Sequence, residues 1–258
     1  MERLSNTKKS GINGNALRTW GLLFLTVGVI GRGVIQRHIL GIGDITAQQL
    51  LEVMNSSSGA MGLATLSLVL QAMETCAAPI FALLLVGGFQ HTSGFGRYLL
   101  RVVGTALLAE IPYNMLIGGS VIAPESRNPV FGMVLGLVIL YFYQRYAEKT
   151  AKDILIKVVV TIAGILWAQM LRIEFGACMV LVIWALWTFR KNPLTRNFAG
   201  AVVTIVCTLF SLFFLAAPMG FLVVHTYNGE ESTTPRVVNY FAYPAILLVL
   251  GLIGMVLL

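Results

Sequence analysis

Long apolar runs separated by short polar stretches make up most of this chain of 258 residues. Most of the runs hold close to the roughly 20 residues that a helix needs to cross a hydrocarbon layer about 30 Å thick. The pattern predicts eight transmembrane helices, at residues 17–35, 67–89, 98–118, 129–145, 155–172, 175–189, 198–224 and 238–258. The fold class that we expect is all-α, a polytopic membrane helix bundle.

The composition agrees with this prediction and excludes a soluble globular protein. Hydrophobic residues make up 57% of the chain and charged residues only 11%, whereas a soluble domain has about 25% charged residues. We therefore expect a single transmembrane domain over residues 1–258, with a polar cytoplasmic tail at 1–16. The longest outer loop, 36–58, has the capping residue and apolar spacing of a short interfacial helix.

The net charge of +7 is typical of the cytoplasmic loops of a membrane protein, and we expect no nucleic-acid partner. With eight spans and the N-terminus inside, thirteen of the 18 Lys and Arg residues fall on inner segments. The outer side keeps Arg32, Arg37, Arg127, Arg172 and Arg236. This asymmetry predicts that both termini are cytoplasmic.

The three cysteines give no sign of a disulfide or metal site. Cys76, Cys178 and Cys207 all lie in apolar runs, without Cys-x-x-Cys or Cys/His spacing. We expect three buried thiols and no bound metal.

Two acidic residues lie inside apolar runs, where an ionised group costs at least about 2.5 kcal/mol and is by default a functional candidate. They are Glu74 and Glu110. Counting residues from the inner boundary places both, with Arg32, in the outer half of the bundle, so Arg32 is expected to pair with one of them. Other polar residues are expected near the same level, namely Asn114, Asn128, Arg172 and Glu174. Together they predict an outward-facing polar pocket, or alternatively an ion pair that only holds helices together.

A short inner loop at residues 90–101 combines glycines, hydroxyl groups and the cations Arg97 and Arg101. Such a loop suits contact with phosphate groups on the cytoplasmic side. Anchoring to anionic lipids is the alternative.

Three segments in this part of the chain form a recognisable series, namely Ala78 to Thr92, Arg97-Tyr98-Leu99-Leu100-Arg101, and Ala109-Glu110-Ile111-Pro112-Tyr113-Asn114. In this order they resemble the TraX family of bacterial membrane acetyltransferase-like proteins. Later motifs at family-like positions are Asn128-Pro129-Val130-Phe131, Glu174-Phe175-Gly176, Tyr227-Asn228-Gly229 and Tyr243-Pro244. One departure is that the family's Asp-His pair in the first span is replaced here by the stretch Gly28 to Gly33.

The resemblance implies a multi-pass enzyme of the bacterial cytoplasmic membrane, with the lipid bilayer as its surroundings. It would transfer an acetyl or other acyl group from acetyl-coenzyme A to an amine or hydroxyl acceptor, such as a peptide, glycan or lipid. The alternatives are a transporter or an inactive relative with an outward-facing polar binding pocket.

The resemblance, together with the positions of the polar residues, suggests a role for each candidate site residue. We expect Glu110 to be the general base, with His38 as second choice, and Arg32 and Asn114 to stabilise the oxyanion. Substrate contacts are expected from Glu74, Tyr113, Asn128 and Arg172. Donor contacts are expected from His91, Arg97 and Arg101.

Overall fold

The computed structural model describes residues 11–42, 52, 57–123, 126–230 and 232–256. Over these residues the chain is almost entirely helical, with two isolated parallel β-bridges. The expected all-α bundle is therefore confirmed. Most of the predicted tail at 1–16, and residues 43–51 and 53–56 of the predicted interfacial helix, lie outside the described residues.

Ten α-helices and several short helical turns make up the described part of the chain. The α-helices are α1 (Gly14–Val29), α2 (Ser58–Glu74), α3 (Ala77–His91), α4 (Phe95–Tyr113), α5 (Val130–Arg145), α6 (Ala151–Met170), α7 (Gly176–Thr188), α8 (Pro193–Val206), α9 (Gly220–His225) and α10 (Arg236–Val256). Two of them continue as π-helix, α1 through Ile30–Ile39 and α4 through Asn114–Gly118. Side-chain caps start several helices, as where Asn13 accepts from the Ala16 amide at 3.0 Å.

Five helical stretches are long and apolar enough to cross a membrane, within the residues that the structure describes. They are Gly14–Ile39, Ser58–His91, Phe95–Gly118, Ala151–Met170 and Val237–Gly254. The predicted spans 129–145 and 175–189 correspond to shorter apolar helices, α5 and α7. These stretches do not confirm the count of eight spans.

The stretch Ser58–His91 breaks in its middle, at Thr75 and Cys76, between α2 and α3. The physical cause is Pro79, which has no amide hydrogen to donate to the carbonyl four residues earlier. That carbonyl, on Thr75, instead accepts from the Ala78 amide at 3.1 Å. The chain therefore turns here, directly after Glu74.

The predicted span 198–224 is a hairpin, not a single crossing helix. After α8 the chain forms three 3₁₀ turns and returns as α9, with Phe221 packed onto Gly200. The turns reach the break between α2 and α3, where the Phe213 carbonyl accepts from Thr75 Oγ1 at 3.0 Å. After α9, the Asn228 amide donates to the Ile12 carbonyl at 2.9 Å. The hairpin thus enters and leaves at one end of the bundle, because glycines and short turns let the chain reverse midway.

We call this end the arginine end, because Arg18, Arg101, Arg190 and Arg196 line one cavity there. Helix α10 also begins at this end, where Asn15 Oδ1 accepts from the Thr234 amide at 3.2 Å. At its other end Gly254 packs against His38, at the far end of the π-helical extension of α1.

Helix α10 is therefore parallel to α1, and the prediction that both termini lie on one side is contradicted. The described ends of the chain, near Gly11 and Gly254, lie at opposite ends of the bundle. Arg236 moves accordingly from the predicted outer side to the arginine end. The cause is the α8–α9 hairpin, which replaces one predicted crossing and so reverses the direction of the last helix.

Glycines on one face of α1 allow α2 and α3 to approach closely. A Cβ at Gly28 would lie 2.6 Å from Cγ of Glu74, and one at Gly31 would lie 2.8 Å from Cβ of Leu70. Polar contacts follow the same seam: Ser67 Oγ donates to the Gly31 carbonyl at 2.9 Å. Small residues at such contacts let helix backbones pack and hydrogen-bond within a membrane.

Labelling of single cysteines tests the direction of α10. We expect Glu230→Cys to react with a membrane-impermeant maleimide from the same side as Lys149→Cys and from the side opposite to Ser120→Cys. All three positions are exposed, whereas the native cysteines are buried. Sealed vesicles of known orientation provide the measurement. Reaction of Glu230→Cys from the side of Ser120→Cys would refute the parallel arrangement of α1 and α10.

Substitution of Gly28 by Ala tests the close contact between α1 and α2. We expect it to lower the free energy of unfolding by about 1–3 kcal/mol, since a methyl group there must push Glu74 and α2 away. The measurement is the melting temperature in detergent. Gly62→Ala on α2 is the control, because a Cβ there meets nothing within 4 Å and is expected not to destabilise. Equal effects at both positions would contradict the prediction.

Candidate functional site

A cavity of about 650 Å³ lies along the centre of the bundle. Helices α1, α3, α4, α5, α7 and α10 contribute to its wall, together with residues at the ends of α2 and of the α8–α9 hairpin. Its middle part is apolar, lined by Leu25, Phe81, Met133, Phe175 and Met179. It is large enough for a small-molecule ligand.

One end of the cavity lies at the arginine end of the bundle and is lined with cations. His91, Arg101 and Arg190 are exposed there, and Arg18 and Arg196 are partly buried. Two of these guanidinium groups are held by neighbours. Arg18 Nη1 donates to Ser232 Oγ at 2.9 Å and to Asn239 Oδ1. Arg190 stacks over the Trp187 ring, 3.9 Å from its centroid, and donates to the Trp187 carbonyl at 2.8 Å. Cations held in place in this way suit a polyanionic ligand.

Gly88, in the segment Ala78 to Thr92, has a packing role beside this end of the cavity. Tyr98 lies against Gly88, where a Cβ would come within 2.6 Å of its hydroxyl oxygen. That hydroxyl donates to the Leu85 carbonyl at 3.3 Å. The contact fixes the start of α4 against α3 and so places Arg101 at the cavity.

Glu74 lines the opposite end of the cavity, which we call the Glu74 end. Glu74 is the last residue of α2, beside the break before α3, and it is only 7% exposed. Tyr243 of α10 lines the same end and is also buried. Among the described residues, no hydrogen bond or ion pair to the Glu74 carboxylate is seen. The cavity thus connects a cationic opening to a buried acid.

An ion pair between Arg32 and Glu174 lies close to this acid. Glu174 also accepts a hydrogen bond from the Tyr113 hydroxyl, which lies 3.1 Å from Ser126 Oγ. The group joins α1, α4 and the loops before α5 and α7. The sequence-based expectation that Arg32 pairs with Glu74 or Glu110 was wrong, because the loop before α7 brings a third glutamate closer.

Glu110 forms a separate cluster with the residues that precede α5. Arg127 Nη1 donates to its carboxylate at 2.8 Å, and Asn128 donates to it from Nδ2 at 2.7 Å and from the backbone amide at 3.2 Å. The same Asn128 Nδ2 reaches the Ala106 carbonyl at 2.9 Å. With three donors on its two oxygens, Glu110 is placed to hold α4 against the start of α5.

A short parallel bridge joins the loops before α5 and α7. The Arg127 amide donates to the Arg172 carbonyl, and the Glu174 amide donates to the Arg127 carbonyl, each at 2.9 Å. Arg172 and Phe175 both have φ of +53°, a left-handed conformation that is unusual for residues other than glycine. This tight turn aims Glu174 at Arg32 and Tyr113.

Several predicted site residues lie away from the cavity. His38 lies at the far end of the bundle against Gly254, and Asn114 donates towards the Val121 carbonyl at 3.4 Å in the same region. Arg172 is exposed in its turn. Arg97 is exposed beside Gly94 and does not line the cavity, whereas His91 and Arg101 do.

The sequence reasoning missed four residues that line the cavity. Arg18, Arg190 and Arg196 were assigned only to inner segments, and Tyr243 was noted only within its Tyr-Pro motif. Their sequence separations are large, so only the packing of α1, α7, α8 and α10 shows that they share one cavity. Within the described ranges, no group of three or more His, Cys, Asp or Glu side chains is placed to hold a metal ion.

Comparison with known proteins adds one finding. A family model described as TraX protein matches residues 50–254 of this chain. No curated protein and no solved structure matches the chain.

Substitution of Asn128 by Ala tests the Glu110 cluster. We expect the free energy of unfolding to fall by about 2–4 kcal/mol, because the change removes the Nδ2 group that donates to Glu110 and to the Ala106 carbonyl, and so leaves a mostly buried carboxylate with fewer partners. Thermal unfolding in detergent is the measurement. Gln144→Ala, at an exposed position of α5, is the control and is expected to have little effect. A melting temperature unchanged by Asn128→Ala would show that the cluster does not hold α4 and α5 together.

Proposed function

Because this chain belongs to the TraX family, we propose that it is an integral membrane acyltransferase whose donor binds in the central cavity. The observation that carries the proposal is the cavity itself, which has four arginines and a histidine at the arginine end and the buried Glu74 at its opposite end. The donor that fits this arrangement is acetyl-coenzyme A or a related acyl thioester. Its phosphates suit the arginines, and its thioester arm suits the apolar middle of the cavity.

The arginine end is the side from which we expect the donor to bind. Apart from Arg32, Arg37, Arg127 and Arg172, the Lys and Arg residues of the described part lie towards this end. The positive-inside rule therefore assigns it to the cytoplasmic side of the bilayer. Acyl-coenzyme A is polar and highly charged and does not cross a bilayer unaided, so a cavity that opens to the cytoplasm suits it. We propose that the protein lies in the bacterial cytoplasmic membrane.

The length of the cavity also supports a donor with a long arm. Helix α3 has 15 residues, so it rises about 22 Å between His91 and the break beside Glu74. An acyl group at the Glu74 end of the cavity would lie deep within the bundle while the phosphates stay at the arginine end. An amine or hydroxyl acceptor, from a peptide, a glycan or a lipid, would meet the acyl group there.

Binding of acetyl-coenzyme A to the purified protein tests this proposal. We expect acetyl-coenzyme A to raise the melting temperature in detergent, because a ligand that binds only the folded state stabilises it by mass action. ATP and inorganic phosphate, as probes of simple phosphate attraction, are expected to give smaller shifts. Arg101→Gln and Arg190→Gln are each expected to weaken the apparent affinity for acetyl-coenzyme A by roughly 10-fold, which corresponds to about 1.4 kcal/mol of binding free energy.

Arg145→Gln, at the exposed end of α5 and away from the cavity, serves as the matched control and is expected to bind like the native protein. Comparison of Arg97→Gln with Arg101→Gln separates a role for the exposed loop from a role for the cavity. No shift with millimolar acetyl-coenzyme A would contradict the proposal. It would favour transport, with Arg32 and Glu74 as part of a solute site.

A further inference from the structure

We propose that Glu74 is the general base of the acyl transfer, an inference that rests on the function proposed above. The structure offers three acids in the region where the thioester would lie, namely Glu74, Glu110 and Glu174. A general base needs a carboxylate that reaches the substrate and is free to accept a proton. The three acids differ in both respects.

Glu110 and Glu174 are already engaged. Glu110 accepts from Arg127 and from both donors of Asn128, and it does not line the cavity. Glu174 pairs with Arg32 and accepts from Tyr113, and it also lies outside the cavity wall. Both carboxylates are therefore held in contacts away from the cavity, and neither is placed to take a proton from a substrate inside it.

Glu74 meets both requirements. Glu74 lines the cavity and is buried. In the described part of the chain, its carboxylate forms no hydrogen bond and no ion pair. Its position follows from the two features of the fold around it. Gly28 leaves room for it against α1, and the break at Thr75 ends α2 so that the side chain meets the cavity beside α3.

The contact with Gly28 places Glu74 beside the first span. The first span here reads Gly-Val-Ile-Gly-Arg-Gly at residues 28–33, so it carries no acid or histidine of its own there. The space beside Gly28 is filled by the carboxylate-bearing side chain of Glu74 from α2. A proton-accepting group is thus supplied to the same part of the bundle by a different helix.

The chemical step uses the thioester and the acceptor alone. As the acceptor nitrogen or oxygen attacks the thioester carbonyl carbon, its proton passes to the Glu74 carboxylate and a tetrahedral oxyanion forms. The carbon–sulfur bond then breaks, the carbonyl re-forms, and the thiolate of coenzyme A takes the proton from Glu74. The products are the acylated acceptor and the free thiol, and the carboxylate is restored.

Tyr243 is placed to donate to the oxyanion. It is buried, it lines the same cavity as Glu74, and it comes from a different helix, α10. A phenol is an uncharged hydrogen-bond donor that stabilises the negative charge developing on an oxyanion.

The test compares Glu74→Gln, Glu74→Asp and Tyr243→Phe with the native protein in two measurements. The first is the shift in melting temperature with acetyl-coenzyme A. The second is release of free thiol from acetyl-coenzyme A, with labelled acetyl transfer followed to membrane components and to added ethanolamine, which offers both an amine and a hydroxyl. We expect Glu74→Gln to keep the thermal shift but lose roughly 100-fold or more in the rate.

Glu74→Asp keeps the carboxylate and is expected to transfer faster than Glu74→Gln. Tyr243→Phe is expected to lose roughly 100-fold in rate with donor binding intact. Glu148→Gln is the matched control, since Glu148 is exposed in the loop between α5 and α6. It is expected to match the native rate.

The remaining outcomes would each contradict either the role of Glu74 or the acyltransferase proposal. Full activity of Glu74→Gln, with an active native protein, would overturn the role of Glu74 and leave the acyltransferase proposal standing. Loss of both donor binding and thermal stability in Glu74→Gln and Glu74→Asp would assign Glu74 to structure instead. Absence of donor binding by the native protein, or binding without any thiol release, would overturn the acyltransferase proposal itself.

Discussion

The need to satisfy charged and polar groups inside an apolar bundle governs the arrangement of this protein. An ionised group in the membrane interior is costly unless it meets a partner. Arg32 and Glu174 form one such pair, and Arg127 with Glu110 forms the second. Both pairs lie where the loops before α5 and α7 meet, so these two loops are fixed relative to α1 and α4. Pro129 and Phe175, next to that junction, line the cavity.

Interruptions of regular helix then create the cavity. Pro79 breaks the stretch Ser58–His91, and the α8–α9 hairpin reaches the break instead of crossing the bundle. Gly220 fits closely there, since a Cβ on it would lie 2.7 Å from Cγ of Pro79. Helices that end midway leave a space along the axis of the bundle, where uninterrupted helices would have packed side by side. The same break leaves Glu74 facing this space, and the proposed chemistry depends on it.

Much of the candidate site was recognisable from the sequence, but its connections were not. The chain pattern identified Arg32, Glu74 and Glu110 as costly groups in apolar runs, and all three lie in or beside the polar clusters. The choice of Glu110 over Glu74 as base came from motif position and burial alone. We propose Glu74 instead, because Glu110 is held by three donors from Arg127 and Asn128 whereas Glu74 lines the cavity. Which acid is free depends on contacts between residues distant in sequence.

The sequence by itself determined that this is an all-helical membrane protein, that it resembles the TraX family, and which polar residues lie inside apolar runs. Hydrophobicity and local spacing set these properties, since each is decided within about one helix length. Only the tertiary structure decided that residues 198–224 form a hairpin, that α10 runs parallel to α1, and that Arg18, Arg190, Arg196 and Tyr243 line one cavity with Glu74. Those outcomes depend on which helices pack together, and apolar segments of similar composition do not encode their neighbours in any local pattern.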